Sequence, residues 1–115
     1  MSEQVEQIEF GDFLKVDIRV GTILSARLNE KARKPAYALE VDMGEIGTKN
    51  SSAQITEHYQ PEDLIGKQVL AVVNFPPKRV AGVKSEILVL AAVDEEKGTI
   101  LIKPDFPVAN GTRML

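Results

Sequence analysis

Two segments near the start of the chain alternate apolar and polar residues, and this period of two constrains the fold most strongly. Residues 17–28 predict a half-buried strand with one apolar face, made of Ile18, Val20, Leu24, Ala26 and Leu28, and one polar face, made of Asp17, Arg19, Ser25 and Arg27. Gly21 lies in the middle of this strand, where a missing side chain lets a small barrel coil sharply. Residues 37–43 predict a second such strand, with Tyr37, Leu39, Val41 and Met43 inward and Ala38, Glu40 and Asp42 outward.

The second half of the chain contains apolar runs instead of alternation. Residues 48–54 are consistent with a third, more polar strand, and residues 61–64 predict one helical turn that begins with Pro61. Apolar runs at residues 69–73, 87–93 and 100–102 predict further strands, and residues 94–98 predict the hairpin loop between the last two. Strands that are apolar on both faces need cover on both faces, so the outer face must meet the chain ends or a second subunit. We therefore expect a homodimer.

Five strands with a helical turn between the third and fourth predict an all-β fold, a single five-stranded OB-fold Greek-key barrel with a short helix and extended termini. The 115 residues suffice for one domain. We expect an N-terminal extension at residues 1–12 and the barrel domain, with a C-terminal dimerisation extension, at residues 13–115. Val5 and Ile8 are compatible with a short N-terminal helix or with a frayed acidic end.

Composition argues against several classes of protein. The chain has no Cys, which excludes disulfides, thiolate metal sites and Cys nucleophiles. It has no apolar run long enough for a membrane span, and residues 1–12 lack the pattern of a signal peptide, so we expect a cytoplasmic protein without membrane insertion. His58 is the only histidine, and Ser51 and Ser52 lack the context of a nucleophile elbow. We expect neither an enzyme nor a bound metal or cofactor.

Charge is distributed unevenly between two predicted loops and the rest of the chain. Residues 29–36 and 74–84 follow the first and fourth strands, where OB-folds bind ligands. Together these loops carry a net charge of +5, whereas the whole chain carries −3. Their bases are Lys31, Arg33, Lys34, Lys78, Arg79 and Lys84. A basic patch on an acidic body attracts anions to one face, although aromatic side chains for base stacking are scarce there.

Phe75, Pro76 and Pro77 form a second feature of the later loop. The two prolines stiffen the chain as it leaves the fourth strand. An exposed Phe75 would line an apolar groove for a peptide, together with Tyr37, but core packing of the Phe75 ring is the favoured interpretation.

Two stretches carry a resemblance to a known family. Residues 13–21 (FLKVDIRVG) and residues 73–86 (VNFPPKRVAGVKSE) resemble the two signatures of the tRNA-binding domain family. That family includes the C-terminal domains of some methionyl-tRNA synthetases, the N-terminal part of the phenylalanyl-tRNA synthetase β subunit, and free-standing tRNA-binding proteins. Residues 49–56 (KNSSAQIT), together with the Phe-Pro-Pro sequence, are similar to a branch of the family formed by bacterial export-related chaperones.

The resemblance implies an OB-fold homodimer whose extended ends cross between subunits. It implies a chaperone that binds unfolded or precursor polypeptides and assists the export machinery without ATP. The alternatives are a structure-specific tRNA-binding protein and an appended domain that anchors a synthetase or secretion factor. By resemblance, the anion-binding or nucleic-acid-binding residues are the six loop bases with Lys49, Ser52, Gln54 and Ser85. The apolar residues beside the loops, Tyr37, Phe75, Pro76 and Pro77, are the candidate peptide-binding residues.

Overall fold

The computed structural model describes residues 5–115, so residues 1–4 of the predicted N-terminal extension lie outside the described residues. Two short helices and nine strands are present in this range. The helices are α1 (Phe10–Leu14) and α2 (Pro61–Leu64), and Gly44–Ile46 forms one 3-10 turn. The strands are β1 (Ile18–Leu28), β2 (Tyr37–Asp42), β3 (Thr48–Ala53), β4 (Gln68–Val72), β5 (Lys78–Val80), β6 (Val83–Ser85), β7 (Leu88–Val89), β8 (Ala91–Asp94) and β9 (Gly98–Leu101).

Five of these strands form a nearly closed antiparallel barrel in the order β3-β2-β1-β4-β7. The gap between β3 and the segment before β7 is bridged by two bonds. The Glu86 amide donates to the Asn50 carbonyl oxygen at 2.8 Å, and the Ser51 hydroxyl donates to the Ile87 carbonyl oxygen at 3.0 Å. The predicted all-β, OB-like barrel with a short helix is confirmed.

A β-bulge in β1 corrects the predicted faces of that strand. The register with β2 shifts between Ile23 and Ser25, so the side chains change sides there. Ile23 is fully buried, whereas Leu24 is 47% exposed and Leu28 is also exposed. Because of the bulge, the single apolar face predicted for residues 18–28 is wrong.

The barrel interior is filled mainly by β2 and its neighbours. Its buried residues include Ile23, Tyr37, Leu39, Val41, Met43, Ile55, Leu64 and Val69. The inward face predicted for β2 is confirmed, although Ala38, predicted outward, is also buried. Pro61 begins α2, as predicted, and this turn places Leu64 in the core.

A second apolar cluster lies on the other face of the sheet. It consists of Ile18, Val20, Leu70 and Val72 and is covered by Phe13, Leu90, Ile102 and Met114. The chain ends therefore supply part of the expected cover, through Phe13 of α1 and Met114 of the C-terminal tail. Val93, in contrast, remains 80% exposed.

The C-terminal tail lies along the part of β1 that β2 does not reach. The Met114 amide donates to the Ile18 carbonyl oxygen at 2.8 Å, and the Val20 amide donates to the Thr112 carbonyl oxygen at 2.9 Å. Asp17 accepts from Arg19 Nε at 2.9 Å and pairs with Arg113 Nε at 3.5 Å. The same contact with Asp17 raises the pKa of the Arg19 guanidinium. Residues 110–114 thus act as an additional strand-like segment of the sheet.

Three other expectations are corrected. The apolar run 87–93 divides into β7 and β8, residues 78–85 of the predicted loop form a hairpin, and the helix begins at Phe10. Val5 and Ile8 are exposed and precede that helix, so of the two alternatives for these residues the helix is excluded. The predicted hairpin loop at residues 94–98 is confirmed by the β8–β9 pairing.

Candidate functional site

The hairpin formed by β5 and β6 is the central element of the candidate site. Val80 pairs with Val83 across a two-residue turn, and both turn residues, Ala81 and Gly82, have positive φ (48° and 85°). This turn matches the twist of the two strands, but the left-handed conformation is unfavourable for Ala. The buried Asn29 amide supports the turn by donating to the Ala81 carbonyl oxygen at 3.3 Å.

The hairpin is anchored at both ends. At its tip, the Lys31 side chain lies over Gly82, where an added Cβ would come within 3.2 Å of Lys31 Cδ. At its base, Glu86 accepts from the Asn50 amide at 3.1 Å and lies 4.0 Å from the Lys49 ammonium. The hairpin therefore spans from the edge of β3 to the loop that follows β1.

One face of the hairpin forms the wall of an open cleft of about 400 Å³, which we call the basic cleft. Arg79 and Lys84 lie directly opposite each other in the hairpin and face this cleft, and Arg27 of β1 also lines it. The remaining polar lining residues are Ser25, Glu40 and Asn50. The Ser25 hydroxyl donates to Glu40 at 2.6 Å. Like charges in direct register repel each other, so the cleft favours an anion.

The ion pairs found among residues 5–115 involve Lys15, Arg19, Lys49 and Arg113. Within this part of the chain, the six predicted loop bases and Arg27 make none. These bases are exposed, and Glu40 is the single acid among the residues that line the basic cleft with Arg27, Arg79 and Lys84. Of the six predicted loop bases, Arg79 and Lys84 lie together in the basic cleft, whereas Lys78 lines a different recess.

The other face of the hairpin forms the wall of a second recess of about 530 Å³, which we call the apolar groove. Its apolar lining is Phe75, Pro76, Pro77, Val80, Ile87 and Leu88, and its polar lining is Ser52, Lys78, Ser85 and Glu86. Three of the four predicted peptide-binding residues thus lie together.

Phe75 is 53% exposed, so the interpretation of its ring as core packing is wrong. The neighbouring Asn74 explains this position. Its side chain accepts from the Asp17 amide at 3.0 Å and donates to the Lys15 carbonyl oxygen at 2.7 Å. Because Asn74 fixes the chain to the segment before β1, the following Phe-Pro-Pro residues lie outside the barrel.

Tyr37, the fourth predicted peptide contact, lies in the barrel core and is 5% exposed. Its hydroxyl donates to the Tyr59 carbonyl oxygen at 2.6 Å. A residue in this position does not reach a surface ligand, so its assignment as a peptide contact is wrong.

A smaller recess of about 360 Å³ brings together four of the predicted anion-binding residues, Arg33, Lys34, Ser52 and Gln54. Val80 and Ala81 of the hairpin also line it. The loop after β1 and the outer face of β3 therefore meet beside the hairpin. Ser52 contributes to this recess and to the apolar groove.

Several lining residues were not predicted. Arg27, Ser25 and Asn50 line the basic cleft, and Asn29 supports the hairpin turn. The alternation in residues 17–28 already placed Ser25 and Arg27 on the outer face, so the signal was present for these two. Nothing in the sequence indicated that the hairpin folds toward that face.

Among residues 5–115, the structure contains no group of three or more His, Asp or Glu residues that could hold a metal ion. His58 is exposed and contacts the Lys97 carbonyl oxygen. No helix of the described residues is long and apolar enough to cross a membrane.

The chain matches one family model and is similar to solved structures of two chaperones. A family model described as a putative tRNA binding domain matches residues 18–113. The structure of chaperone CsaA from Bacillus anthracis is similar with a TM-score of 0.91 and 54% identity, covering 96% of this chain and 100% of that one. CsaA from Picrophilus torridus gives a TM-score of 0.89 and 46% identity, covering 95% and 100% of the two chains.

Longer proteins match as well. Methionine–tRNA ligase from Methanococcoides burtonii is 44% identical over 91% of this chain, which covers 15% of the ligase. The enzyme from Porphyromonas gingivalis is 40% identical over 95% of this chain and 16% of the ligase. The chain therefore spans only about one sixth of the length of these curated relatives.

Proposed function

Because this chain belongs to the tRNA-binding domain family, as the sequence resemblance predicted, and is similar to two CsaA chaperones, we propose that it is a chaperone. In this proposal it is a cytoplasmic homodimer that binds unfolded or precursor polypeptides without ATP and assists their export. The observation that carries the proposal is the apolar groove, with the exposed Phe75 ring beside two prolines.

The lining of the apolar groove suits an extended polypeptide. Its volume of about 530 Å³ lies within the usual range of ligand sites. The aromatic ring and the prolines are rigid, so they offer apolar contact area at a small loss of side-chain entropy. Ser52 and Ser85 also line the groove. The Ser85 hydroxyl donates to the Ile87 carbonyl oxygen at 3.3 Å, so toward a polypeptide backbone it can serve as an acceptor, whereas the Ser52 hydroxyl can donate or accept. Apolar side chains that unfolding exposes would bind in the groove because their removal from water lowers the free energy.

The homodimer is supported by exposed apolar side chains that lie close in sequence to the outer cluster and its cover. Val16 precedes Ile18 of that cluster by two residues, Val93 follows Leu90 of its cover by three, and both are exposed. Exposed apolar residues next to a buried cluster are typical of protein interfaces. Analytical ultracentrifugation should give twice the chain mass, and a Val93→Asp variant should lower the association constant. A monomer at all concentrations would contradict this part of the proposal.

The main test compares two equally exposed apolar residues. Phe75 lines the groove and is 53% exposed, whereas Ile65 follows α2, is 56% exposed and lines none of the recesses described above. The wild-type protein should suppress aggregation of a chemically unfolded client without ATP. Phe75→Ala should lose most of this suppression, and Ile65→Ala should retain it. Unchanged aggregation at excess wild-type protein, or full suppression by Phe75→Ala, would contradict the proposal.

A second candidate function, tRNA binding, is favoured by a separate observation. The six loop bases are exposed and make no ion pair within residues 5–115. Three of them belong to the hairpin and three to the loop after β1. The matching ligases act on tRNA by name, which supports the same ligand for this domain. Lys and Arg that contact phosphates release counterions, so tRNA affinity should fall steeply with salt.

The number of basic side chains that contact tRNA phosphates can be measured by comparing the salt dependence of binding between variants. An Arg33→Gln/Lys34→Gln variant should bind tRNA more weakly and should reduce the slope of log K against log salt by about 2. Lys97→Gln/Lys103→Gln removes the same charge elsewhere and should leave the slope unchanged. A flat salt response of the wild-type protein would exclude phosphate recognition. Polypeptide binding, in contrast, should persist at high salt because its main contribution is apolar.

A further inference from the structure

The β5–β6 hairpin forms a wall of both the basic cleft and the apolar groove. In its register, Arg79 is opposite Lys84 and Lys78 is opposite Ser85. Arg79 and Lys84 line the basic cleft, whereas Lys78, Val80 and Ser85 line the apolar groove. Neighbouring residues of a strand point to opposite faces. The hairpin therefore presents a cationic face to the basic cleft and a face with both apolar and polar side chains to the apolar groove.

Between its two anchored ends, the β5–β6 hairpin is largely exposed. All three residues of β5 are exposed, and the hairpin has a separate two-stranded pairing outside the barrel sheet. Its turn contains Ala81 in the left-handed region, and its middle pair places two positive charges side by side. An exposed strand, a residue in an unfavourable backbone conformation and internal repulsion are features of a segment that opens locally at low free energy.

An anion with several charged oxygens would make local opening of the hairpin less favourable. Arg79 and Lys84 belong to the hairpin, whereas Arg27 belongs to β1 of the barrel. An oligophosphate that contacts all three would cancel the repulsion within the hairpin and attach the hairpin to the barrel. The wall of the apolar groove would then be ordered before a polypeptide arrives, and the polypeptide would lose less entropy on binding.

We propose that the basic cleft is an effector site for oligophosphate groups, and that its occupation strengthens polypeptide binding in the apolar groove through the shared hairpin. This inference rests on the polypeptide binding proposed above. Coupling between sites in one protein commonly changes affinity about 5-fold to 150-fold, and we expect a value near the lower end, about 5-fold, since only a short hairpin is ordered. The coupling is reciprocal, so the polypeptide would strengthen oligophosphate binding by the same factor.

The test uses an uncharged apolar peptide and inorganic tripolyphosphate, so that charge attraction between the two ligands does not contribute. Isothermal titration should give a peptide Kd about 5-fold lower with saturating tripolyphosphate than with chloride at equal ionic strength. The Arg79→Gln/Lys84→Gln variant should lose this enhancement, and the charge-matched Lys97→Gln/Lys103→Gln variant, which lines neither the cleft nor the groove, should keep it.

The outcomes separate the inference from the proposed function. A peptide Kd that is unchanged or raised by tripolyphosphate would overturn the coupling while leaving polypeptide binding intact. Equal enhancement in wild type and in the Arg79→Gln/Lys84→Gln variant would overturn the assignment to the basic cleft. A peptide that fails to bind under both conditions would overturn the proposed function and, with it, this inference.

Discussion

Replacing Gly21 by Ala tests how tightly the barrel is packed where β1 lies beside β2. A Cβ built on Gly21 would lie 2.7 Å from Val41 Cγ1 and 3.0 Å from the Asp42 carbonyl oxygen, and it would come closer still to Met43 Sδ. Val41 and Met43 are both fully buried. Ordinary carbon contacts are about 3.5–4.0 Å, so the neighbours must move by up to about 1 Å.

The expected loss of stability follows from which neighbours are able to move. Met43 has a flexible side chain, but Val41 is β-branched and stiff, and the Asp42 oxygen belongs to the backbone of a paired strand. Overpacking of this kind typically destabilises by about 1–3 kcal/mol. For a domain of this size the melting temperature should fall by about 4 °C for each kcal/mol.

Urea denaturation monitored by circular dichroism gives the free energy of unfolding of Gly21→Ala and of a matched control. Gly11→Ala is the control, because a Cβ at Gly11 meets no atom within 4 Å, and Gly11 lies in α1. That variant should be neutral or slightly stabilised, since Ala favours helix over Gly by up to about 1 kcal/mol. Gly21→Ala should also be less damaging in a Val41→Ala background. Wild-type stability of Gly21→Ala would refute the reasoning.

Two further predictions concern polar contacts. Tyr37→Phe removes the hydroxyl that donates to the Tyr59 carbonyl oxygen at 2.6 Å and should lower the free energy of unfolding by about 1 kcal/mol in urea denaturation, and an unchanged midpoint would contradict it. Asp17→Asn weakens the contacts to Arg19 and Arg113, so hydrogen exchange of the tail amides should accelerate several-fold. The melting temperature should change little, because exposed ion pairs contribute little to global stability. Unchanged tail exchange would show that the ion pairs do not hold the tail.

Much of the barrel was predictable, because the first strands alternate with a period of two and the later strands are short apolar runs. The inward face of β2, the turn at Pro61 and the β8–β9 hairpin follow from local patterns and were confirmed. The exposure of Leu24 was not predictable from alternation, since the bulge at Ile23 and Ser25 depends on pairing with β2. A single inserted residue reverses every side chain that follows it.

The candidate site was predictable in composition but not in arrangement. The charge pattern indicated the loop bases, and the Phe-Pro-Pro sequence indicated a peptide groove only as the alternative to core packing of Phe75. The exposure of Phe75 depends on two bonds of Asn74 to Lys15 and Asp17, which are almost 60 residues away in sequence. Arg27 was overlooked because its relation to Arg79 arises only when the hairpin folds across the sheet. Contacts between distant segments have no local signature.

The tail along β1 has a consequence for the folding pathway. Arg19 and Gly111, which the tail joins, are separated by 92 residues. Pairings between such distant segments raise the contact order, and proteins of high contact order fold slowly because a long loop must close first. During synthesis the edge of β1 at residues 18–20 emerges long before residues 112–114 that pair with it. A nascent chain therefore carries an open strand edge at residues 18–20 until residues 112–114 have been synthesised, and that edge is exposed to aggregation during this interval.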